Sequence, residues 1–399
     1  MPQSAAAPDY DRFGDAVERP DTSFVLESAA PAALGLRQEA LDRLCDIIQG
    51  HVDANRYPGA QVAVARHGKL ALHRSFGSAR IDPQIAPAHD RTLWRIYSNT
   101  KVLTAAGIWL LVEDGALTFH DKVADHIPEF ARHGKDDITI HQLLTHRAGF
   151  PLAGQNLPPA AWEDRARRRE EVCNFTLEWT PGSRIRYHHQ SAHWIAAVLL
   201  EAVTNTDFRV FLRTRLFEPL GLGDEVYVGM PDSERDRAAD VHAPSADGSA
   251  HLRHPQENED AFRRAGLPAS GGMATARALA AFYQMLVNYG ELNGVRLFSR
   301  RMIEYVTRNF IGDEIDQFHG MPMHRGLGPH SRGMTPRIAG LGTLASPGTF
   351  GHGGVGSSYV WGDPDSGVSY AYLSNSRLSD PWHSRRLEIL SNCVHCAIE

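Results

Sequence analysis

Cysteine is scarce in this sequence, and its scarcity limits the kinds of site that the chain can build. The four cysteines, Cys45, Cys173, Cys393 and Cys396, are scattered over 399 residues. This scatter does not resemble a disulfide framework, so we expect reduced thiols. Cys393 and Cys396 form a C-x-x-C, but without a second pair the motif is weak evidence for a metal or redox site.

Long apolar runs and an excess of positive charge are also missing. No stretch approaches the roughly 20 apolar residues of a membrane-spanning helix, and the net charge is -6. We therefore expect no nucleic-acid partner and no membrane partner. Residues 1–13 lack a basic start followed by an apolar run, which predicts no secretory signal and a cytoplasmic location.

The periodicity of apolar residues predicts both helices and strands. Helical spacing occurs over residues 36–55, 101–113, 193–203, 208–216, 276–289 and 381–397. Strand patterns occur at residues 60–65, 70–76, 357–362 and 368–373. The pair His67-Gly68 between the first two strands predicts a β-hairpin.

This order of elements predicts an α+β fold, in which an antiparallel sheet is built from both ends of the chain and flanked by helices. Regular βαβ alternation is missing, so a doubly wound sheet is not expected. We predict a loosely packed arm at 1–33, a sheet domain at 34–97 and 311–399, and a mainly helical domain at 98–310. The active site is expected between the two domains, with irregular segments near 150–172 and 312–349 shaping the substrate pockets.

Ser98 and Lys101 form the pattern S-x-x-K at the start of a predicted helix. Residues three apart share a helix face, with Cβ atoms about 5–6 Å apart. A serine becomes nucleophilic when a neighbour takes its proton, and a desolvated lysine can do so. The pattern is common by itself, and Ser98 could equally be a helix cap.

Four downstream segments give Ser98 and its own segment, residues 94–101 (WRIYSNTK), a wider context. They are residues 141–150 (HQLLTHRAGF), 181–189 (PGSRIRYHH), 271–277 (GGMATAR) and 350–356 (FGHGGVG). Together, in this order, they resemble the class C β-lactamase-like family, which includes the family VIII carboxylesterases, D-amino-acid-releasing peptidases and some acyltransferases. The resemblance spans about residues 35 to 395 and implies a β-lactamase/transpeptidase-like fold.

The resemblance also implies roles for individual residues. Ser98 and Lys101 correspond to nucleophile and base, and Tyr187 to the residue that assists proton transfer. A free tyrosine has a pKa of about 10, so Tyr187 would need a nearby cation such as Lys101 to act as a phenolate. The third element is His352-Gly353-Gly354, and the N–H groups of Val355 and Ser98 correspond to the oxyanion hole.

Two departures from the family pattern concern substrate binding. His189 stands where the β-lactamases have an asparagine that holds the substrate amide. Gly353 stands where a threonine or serine helps bind a carboxylate, and His352 replaces a lysine with a group that is only partly charged near neutral pH. These changes favour hydrolysis of small-molecule esters over hydrolysis of anionic β-lactams or peptides.

Three other interpretations compete with a β-lactamase-like hydrolase. A zinc site would need His189 and His193 on one helix face, but the glutamate of the metalloprotease pattern and an acidic third ligand are missing. An α/β-hydrolase is excluded because no G-x-S-x-G occurs. The third interpretation is a catalytically silent protein that binds a ligand or a partner in the same cleft.

We therefore predict a serine carboxylesterase that works through an acyl-enzyme on Ser98, without metal or organic cofactor. Amide hydrolysis of the β-lactamase or D-aminopeptidase type, and acyl transfer, remain open because they would use the same acyl-enzyme. The physiological substrate and the oligomeric state cannot be derived from the sequence.

Overall fold

The structure is a computed structural model that describes residues 24–151, 158–334 and 340–399. Its α-helices are α1 (Gln38–Asp53), α2 (Thr100–Glu113), α3 (Val123–His126), α4 (Ile140–Leu144), α5 (Arg165–Asn174), α6 (Ser191–Thr204), α7 (Phe208–Leu212), α8 (Asp260–Ala265), α9 (Ala276–Val287), α10 (Arg300–Val306) and α11 (Trp382–His395). Its strands are β1 (Gly59–Arg66), β2 (Lys69–Arg80), β3 (Ala86–Pro87), β4 (Trp94–Arg95), β5 (Val226–Val228), β6 (His242–Pro244), β7 (His251–Arg253), β8 (Gly272–Ala274), β9 (Glu291–Leu292), β10 (Val295–Arg296), β11 (Ile315–Asp316), β12 (Met321–Pro322), β13 (His330–Ser331), β14 (Phe350–Gly354), β15 (Ser358–Asp363) and β16 (Val368–Ser374).

The main sheet joins the two ends of the chain. Seven antiparallel strands lie in the order β13-β14-β15-β16-β1-β2-β3. The central pair, β1 and β16, brings Ala60 opposite Ser374. This topology confirms the predicted α+β fold with a sheet assembled from both ends.

Both faces of the central strand β1 are buried, because helices cover the sheet on each side. Side chains alternate along a strand, so Val62 and Val64 pack with α1 and α11 in one core. Ala63 and Ala65 belong to a second core on the opposite face, which the middle of the chain supplies. One face of the sheet therefore packs against the middle of the chain.

Helix α2, which follows Ser98, is apolar on all sides and almost completely buried, as expected for a helix in the centre of a large domain. It packs against α6. A Cβ atom added to Gly107 would lie 2.7 Å from Leu200 Cδ1. The absence of a side chain at Gly107 therefore allows α2 and α6 to pack closely. This packing holds α2, and with it the segment that begins the helix, in position.

Most predicted elements are present, with shifted ends. His67 and Gly68 have φ values of 53° and 75° and join β1 to β2, as predicted for the hairpin. Helix α6 begins at Ser191, two residues before the predicted start. The helix predicted at 208–216 ends at Leu212 and continues as a π-helical turn.

The predicted loosely packed arm at residues 1–33 stays a prediction, because the structure describes only its last part. Residues 1–23 lie outside the described residues, but Leu26 is buried. The N–H of Leu70 donates to the carbonyl of Glu27, and the N–H of Ala29 donates to the carbonyl of Leu70. The segment from Leu26 onward is therefore packed against the start of β2.

Helix α9 bears on the predicted domain boundaries. It lies within the segment 98–310, yet it packs against β1, β15 and β16 of the main sheet. The division at 98 and 310 stays a prediction, and the packing of α9 favours an earlier second boundary.

Within the described part of the chain, no helix combines the length and apolarity that crossing a membrane requires.

Candidate active site

Ser98 lies in a short turn between β4 and α2. The turn is a 3-10 helix formed by Tyr97–Asn99, so Ser98 precedes the α-helix instead of beginning it. Tyr97 has a φ of 46°, which is unusual for a bulky residue and typical of functional sites. Its hydroxyl donates to Glu257 at 2.6 Å, and the guanidinium of Arg95 lies 5.0 Å from its ring centroid. These contacts hold the strained residue in place.

The structure brings Ser98, Lys101 and Tyr187 together. Lys101 Nζ lies 3.1 Å from Ser98 Oγ, and the Tyr187 hydroxyl donates to the same oxygen at 2.9 Å. The Ser98 side chain thus contacts two proton-transfer groups, which is the arrangement that an activated nucleophile requires.

Lys101 is fully buried, and two carbonyl oxygens bind its amine. They belong to His189 and Ala269, at 2.8 and 2.9 Å from Nζ. Burial, reinforced by the charge of Arg325, holds the pKa of Lys101 well below its ordinary value. A neutral amine has two hydrogens and one lone pair. The two carbonyls occupy the hydrogens, and the lone pair is left for the Ser98 hydroxyl.

Tyr187 has the opposite shift. Burial raises its pKa to about 12, although the hydrogen bond with Ser98 and the charge of Arg325 act in the other direction. The phenolate considered from the sequence is therefore not favoured at neutral pH. Tyr187 is therefore a phenol that can donate a proton, and the amine of Lys101 can accept one. Groups whose pKa values are pushed apart in this way can divide acid and base roles.

Strand β14 carries the third predicted element and lies directly beside the turn of Ser98. A Cβ atom on Gly354 would lie 2.8 Å from the Ile96 carbonyl oxygen and 3.1 Å from Tyr97 Cβ. Glycine is required for this approach. Val355 follows immediately and is 54% exposed. The predicted oxyanion donors, the N–H groups of Ser98 and Val355, thus belong to two adjacent segments.

His352 is a neutral group in this site. It is buried, and burial together with the nearby Lys101 holds its pKa well below the ordinary value. Its Nδ1 lies 2.9 Å from the Gly353 carbonyl, which accepts the ring proton. The ring therefore lacks the positive charge that a substrate carboxylate would need. The sequence predicted a partly charged histidine at this position, and burial makes it neutral.

The space beside Gly353 is filled by an aromatic ring. A Cβ atom at this position would lie 2.9 Å from two ring carbons of Tyr359, which is itself buried. A threonine or serine side chain would collide with that ring. The glycine at position 353 therefore removes a hydroxyl and also makes room for the Tyr359 ring.

His189 forms one wall of the site together with an aromatic residue that the sequence analysis missed. Its ring lies 5.4 Å from the Tyr187 ring and 4.4 Å from the Phe318 ring. Burial lowers the pKa of His189 to about 4, with Lys101 as the next cause. Phe318 is 44% exposed, so this wall is uncharged and aromatic.

The zinc hypothesis loses its geometric basis. Because α6 begins at Ser191, His189 precedes the helix and does not share a helical face with His193. Among residues 24–151, 158–334 and 340–399, no three histidine, cysteine or acidic side chains are grouped as metal ligands would be. All four cysteines are free.

The sequence analysis also missed two charged residues beside Tyr187. Asp316 and Arg325 form a buried ion pair, with Arg325 Nη2 at 2.5 Å from Asp316 Oδ2. Both come from the irregular segment 312–349, in which no periodicity marked them. A buried charge pair in an aperiodic segment becomes recognisable only when the chain is folded.

Comparison with known proteins agrees with this geometry. The family described as "Beta-lactamase" matches residues 44–391. The chain belongs to the beta-lactamase family. The "Esterase/beta-lactamase LipL" of Mycobacterium tuberculosis is 30% identical over 311 residues, covering 71% of this chain and 69% of that protein.

Two solved structures share the fold over most of the chain. A family VIII carboxylesterase superposes with a TM-score of 0.76 and 26% identity, covering 90% of this chain and 99% of the other. A penicillin-binding protein homologue from Caulobacter crescentus has the same TM-score and coverage at 27% identity. This chain is thus a beta-lactamase-fold serine hydrolase.

Proposed function

We propose that this protein is a serine carboxylesterase that forms an acyl-enzyme on Ser98. The observation that carries the proposal is the position of Ser98 Oγ between Lys101 Nζ and the Tyr187 hydroxyl, at 3.1 and 2.9 Å. Similarity to proteins named as esterases supports it.

In the proposed reaction, Lys101 takes the hydroxyl proton of Ser98 as Oγ attacks the ester carbonyl. The N–H groups of Ser98 and Val355 stabilise the tetrahedral oxyanion, and each such donor contributes about 2.7–4 kcal/mol. Tyr187 gives its proton to the leaving alcohol as the carbonyl–oxygen bond breaks, and Lys101 returns its proton to Tyr187.

Deacylation uses the same groups in the reverse order. A water molecule replaces the alcohol and gives a proton to Lys101 through Tyr187 while its oxygen attacks the acyl carbon. The acid is released as Ser98 recovers its proton. An alcohol or amine in place of water would give acyl transfer instead, so acyl transfer is the second candidate activity.

The electrostatics of the site favour neutral esters over anionic β-lactams and peptides. His352 and His189 have lowered pKa values, and the Tyr359 ring occupies the space of the missing threonine. A substrate carboxylate would therefore lose its hydration without gaining a cation at these positions. The Phe318 wall is suited to an apolar part of an ester.

The test is a kinetic panel on the purified protein with short-chain p-nitrophenyl esters, a chromogenic cephalosporin and D-amino-acid amides. We expect the esters to give the highest kcat/KM. We expect Ser98→Ala to abolish turnover, whereas the exposed control Ser183→Ala keeps it. Full ester activity in Ser98→Ala would refute the acyl-enzyme, and a dominant cephalosporin or amide would refute the ester preference.

A fluorophosphonate probe addresses the remaining alternative, a catalytically silent binding protein. We expect covalent labelling of the native chain, located at Ser98 by peptide mass spectrometry, and no labelling of Ser98→Ala. An unlabelled native protein would favour the silent cleft.

A further inference from the structure

The buried ion pair between Asp316 and Arg325 is unusually placed for a structural element. Asp316 is fully buried and Arg325 is 2% exposed. Replacing such a pair with apolar residues is often neutral for stability, so stability alone is a weak explanation for it. Its contacts lead directly to the proposed proton-transfer groups.

The two charges of the pair contact different parts of Tyr187. Asp316 Oδ1 accepts the N–H of Tyr187 at 3.2 Å and the N–H of Phe318 at 2.9 Å. The guanidinium carbon of Arg325 lies 4.8 Å from the centroid of the Tyr187 ring. The anion thus fixes the main chain of Tyr187, and the cation lies over its ring.

Arg325 also reaches the third element of the site. Its Nη1 donates to His330 Nε2 at 2.9 Å, and the His330 ring lies 4.2 Å from the His352 ring. A second imidazole on the pair is His319, whose Nδ1 lies 3.4 Å from Asp316 Oδ2.

Other titratable groups surround Tyr187 from each neighbouring element. These are Lys101 of α2, His146 after α4, His189 before α6, His319 between β11 and β12, and His352 of β14, with Tyr359 of β15 within electrostatic reach. Burial holds the pKa values of His146, His189 and His352 below the ordinary histidine value. The guanidinium of Arg325 adds a positive charge to this group of side chains around Tyr187.

We propose that Asp316 and Arg325 are positioning residues for Tyr187 and Lys101. The carboxylate fixes the orientation of Tyr187, and the guanidinium lies 4.8 Å from the centroid of the same ring that Lys101 Nζ faces at 5.0 Å, so its charge disfavours a second cation at Lys101. The same charge stabilises the phenolate that forms transiently when Tyr187 gives up its proton. This proposal rests on the proposed function of Ser98, Lys101 and Tyr187. The electrostatics agree, because Arg325 lowers the pKa of Lys101 after burial does, and opposes the rise at Tyr187.

The experiment measures the rate of fluorophosphonate labelling at Ser98 as a function of pH. Fluoride leaves without needing a proton, so the acid limb of this profile reports the ionisation of Lys101. The test protein is the double variant Asp316→Asn/Arg325→Gln, which removes both charges and retains an acceptor for the Tyr187 N–H. Removing the guanidinium raises the pKa of Lys101, and losing the Asp316 carboxylate offsets only part of that rise because Arg325 is the charge that acts on Lys101. We therefore expect the acid limb to move up, by less than about one pH unit.

Three further variants separate charge from packing. Arg325→Lys keeps the positive charge and should retain the acid limb of the native protein, even if its rate is lower. Asp316→Asn alone leaves the guanidinium uncompensated and should move the limb to lower pH. Arg301→Gln, at an arginine whose side chain is 87% exposed, is the matched control and should change nothing.

The outcomes distinguish this inference from the proposed function. If the native protein is not labelled at Ser98, the proposed function fails first. If it is labelled and the acid limb stays in place in the folded double variant and in Asp316→Asn, the pair is only structural and the inference is wrong. Shifts of opposite sign in these two variants would support it, because a packing defect does not reverse its sign with charge.

Discussion

Lys101 and Tyr187 differ in what burial does to them, and this difference assigns their proposed roles. Burial disfavours the charged form of each group, so the pKa of the amine falls and that of the phenol rises to about 12. At neutral pH the amine can accept a proton and the phenol can give one. The hydrogen bonds to Ser98 Oγ then form a chain from phenol to serine to amine.

The donor role of Tyr187 can be tested by changing the leaving group. In Tyr187→Phe no proton is available for the alcohol, so esters of alkyl alcohols should lose about 10²–10⁴-fold in kcat/KM, which reports acylation and leaves out the shared deacylation step. A p-nitrophenyl ester of the same acid should lose much less, because p-nitrophenolate leaves as a stable anion. The measurement is the ratio of kcat/KM for the two esters. Tyr305→Phe in α10 is the control, and equal losses for both esters would contradict the role.

At the scale of elements, the site depends on three segments that meet at the sheet edge: the turn before α2, strand β14 and the hairpin β11–β12. The turn and β14 approach so closely that Gly354 has no room for a side chain. Asp316 in β11 holds the N–H groups of Tyr187 and Phe318 at once. Each segment is irregular or short, and the turn is held by its packing against β14 and β15 of the main sheet.

The approach of β14 to the turn gives a prediction at this scale. In Gly354→Ala the new Cβ would meet Ser358 Oγ, Ile96 O and Tyr97 Cβ. Strand β14 must therefore move away from Ser98, and the N–H of Val355 moves with it. We expect kcat/KM for esters to fall about 10²–10³-fold, the loss typical of one oxyanion donor, while the chain remains folded by circular dichroism.

The matched control is Gly50→Ala in α1, where an added Cβ meets no atom within 4 Å. This change should leave kcat/KM unaltered and raise stability by about 0.5–1 kcal/mol, because alanine favours the helix. If both variants kept native activity, the close approach of β14 would not matter for the site.

The whole molecule shows which features a sequence can specify. Helices α1, α2 and α11 and the hairpin of β1 and β2 follow from local periodicity and turn residues. The helices were predicted to within two residues of their ends, whereas β2 extends four residues beyond its predicted end at residue 76. Ser98, Lys101 and Tyr187 were predicted because motifs mark them, and the structure brings their side chains together. Asp316, Arg325 and Phe318 were not, because their partners come from distant segments and no local pattern encodes a long-range charge pair.

Histidine also acts at the scale of the whole molecule, since the chain has 21 of these residues and many are buried. His146 Nδ1 accepts the N–H of His188, and His188 Nε2 accepts the N–H of Phe150. These rings are acceptors and must remain unprotonated at those atoms. Burial accordingly lowers the pKa of His188 to about 3 and that of His146 well below its ordinary value.

The stability of the fold should therefore fall as the pH drops below neutrality. The unfolded chain takes up protons near the ordinary histidine pKa of about 6.5, whereas the folded chain keeps these rings neutral to much lower pH. The stabilisation is present above that value and is lost as the pH falls toward the folded-state pKa, at up to about 1.4 kcal/mol per pH unit for each such ring.

The measurement is the urea concentration at the midpoint of unfolding, from pH 8 to pH 4.5. This midpoint should decline steeply in the native protein and less steeply in His188→Gln. In the exposed control His120→Gln the decline should match that of the native protein. A midpoint independent of pH over this range would show that the buried imidazoles take up protons in the folded protein at the same pH as in the unfolded chain, and would contradict the prediction.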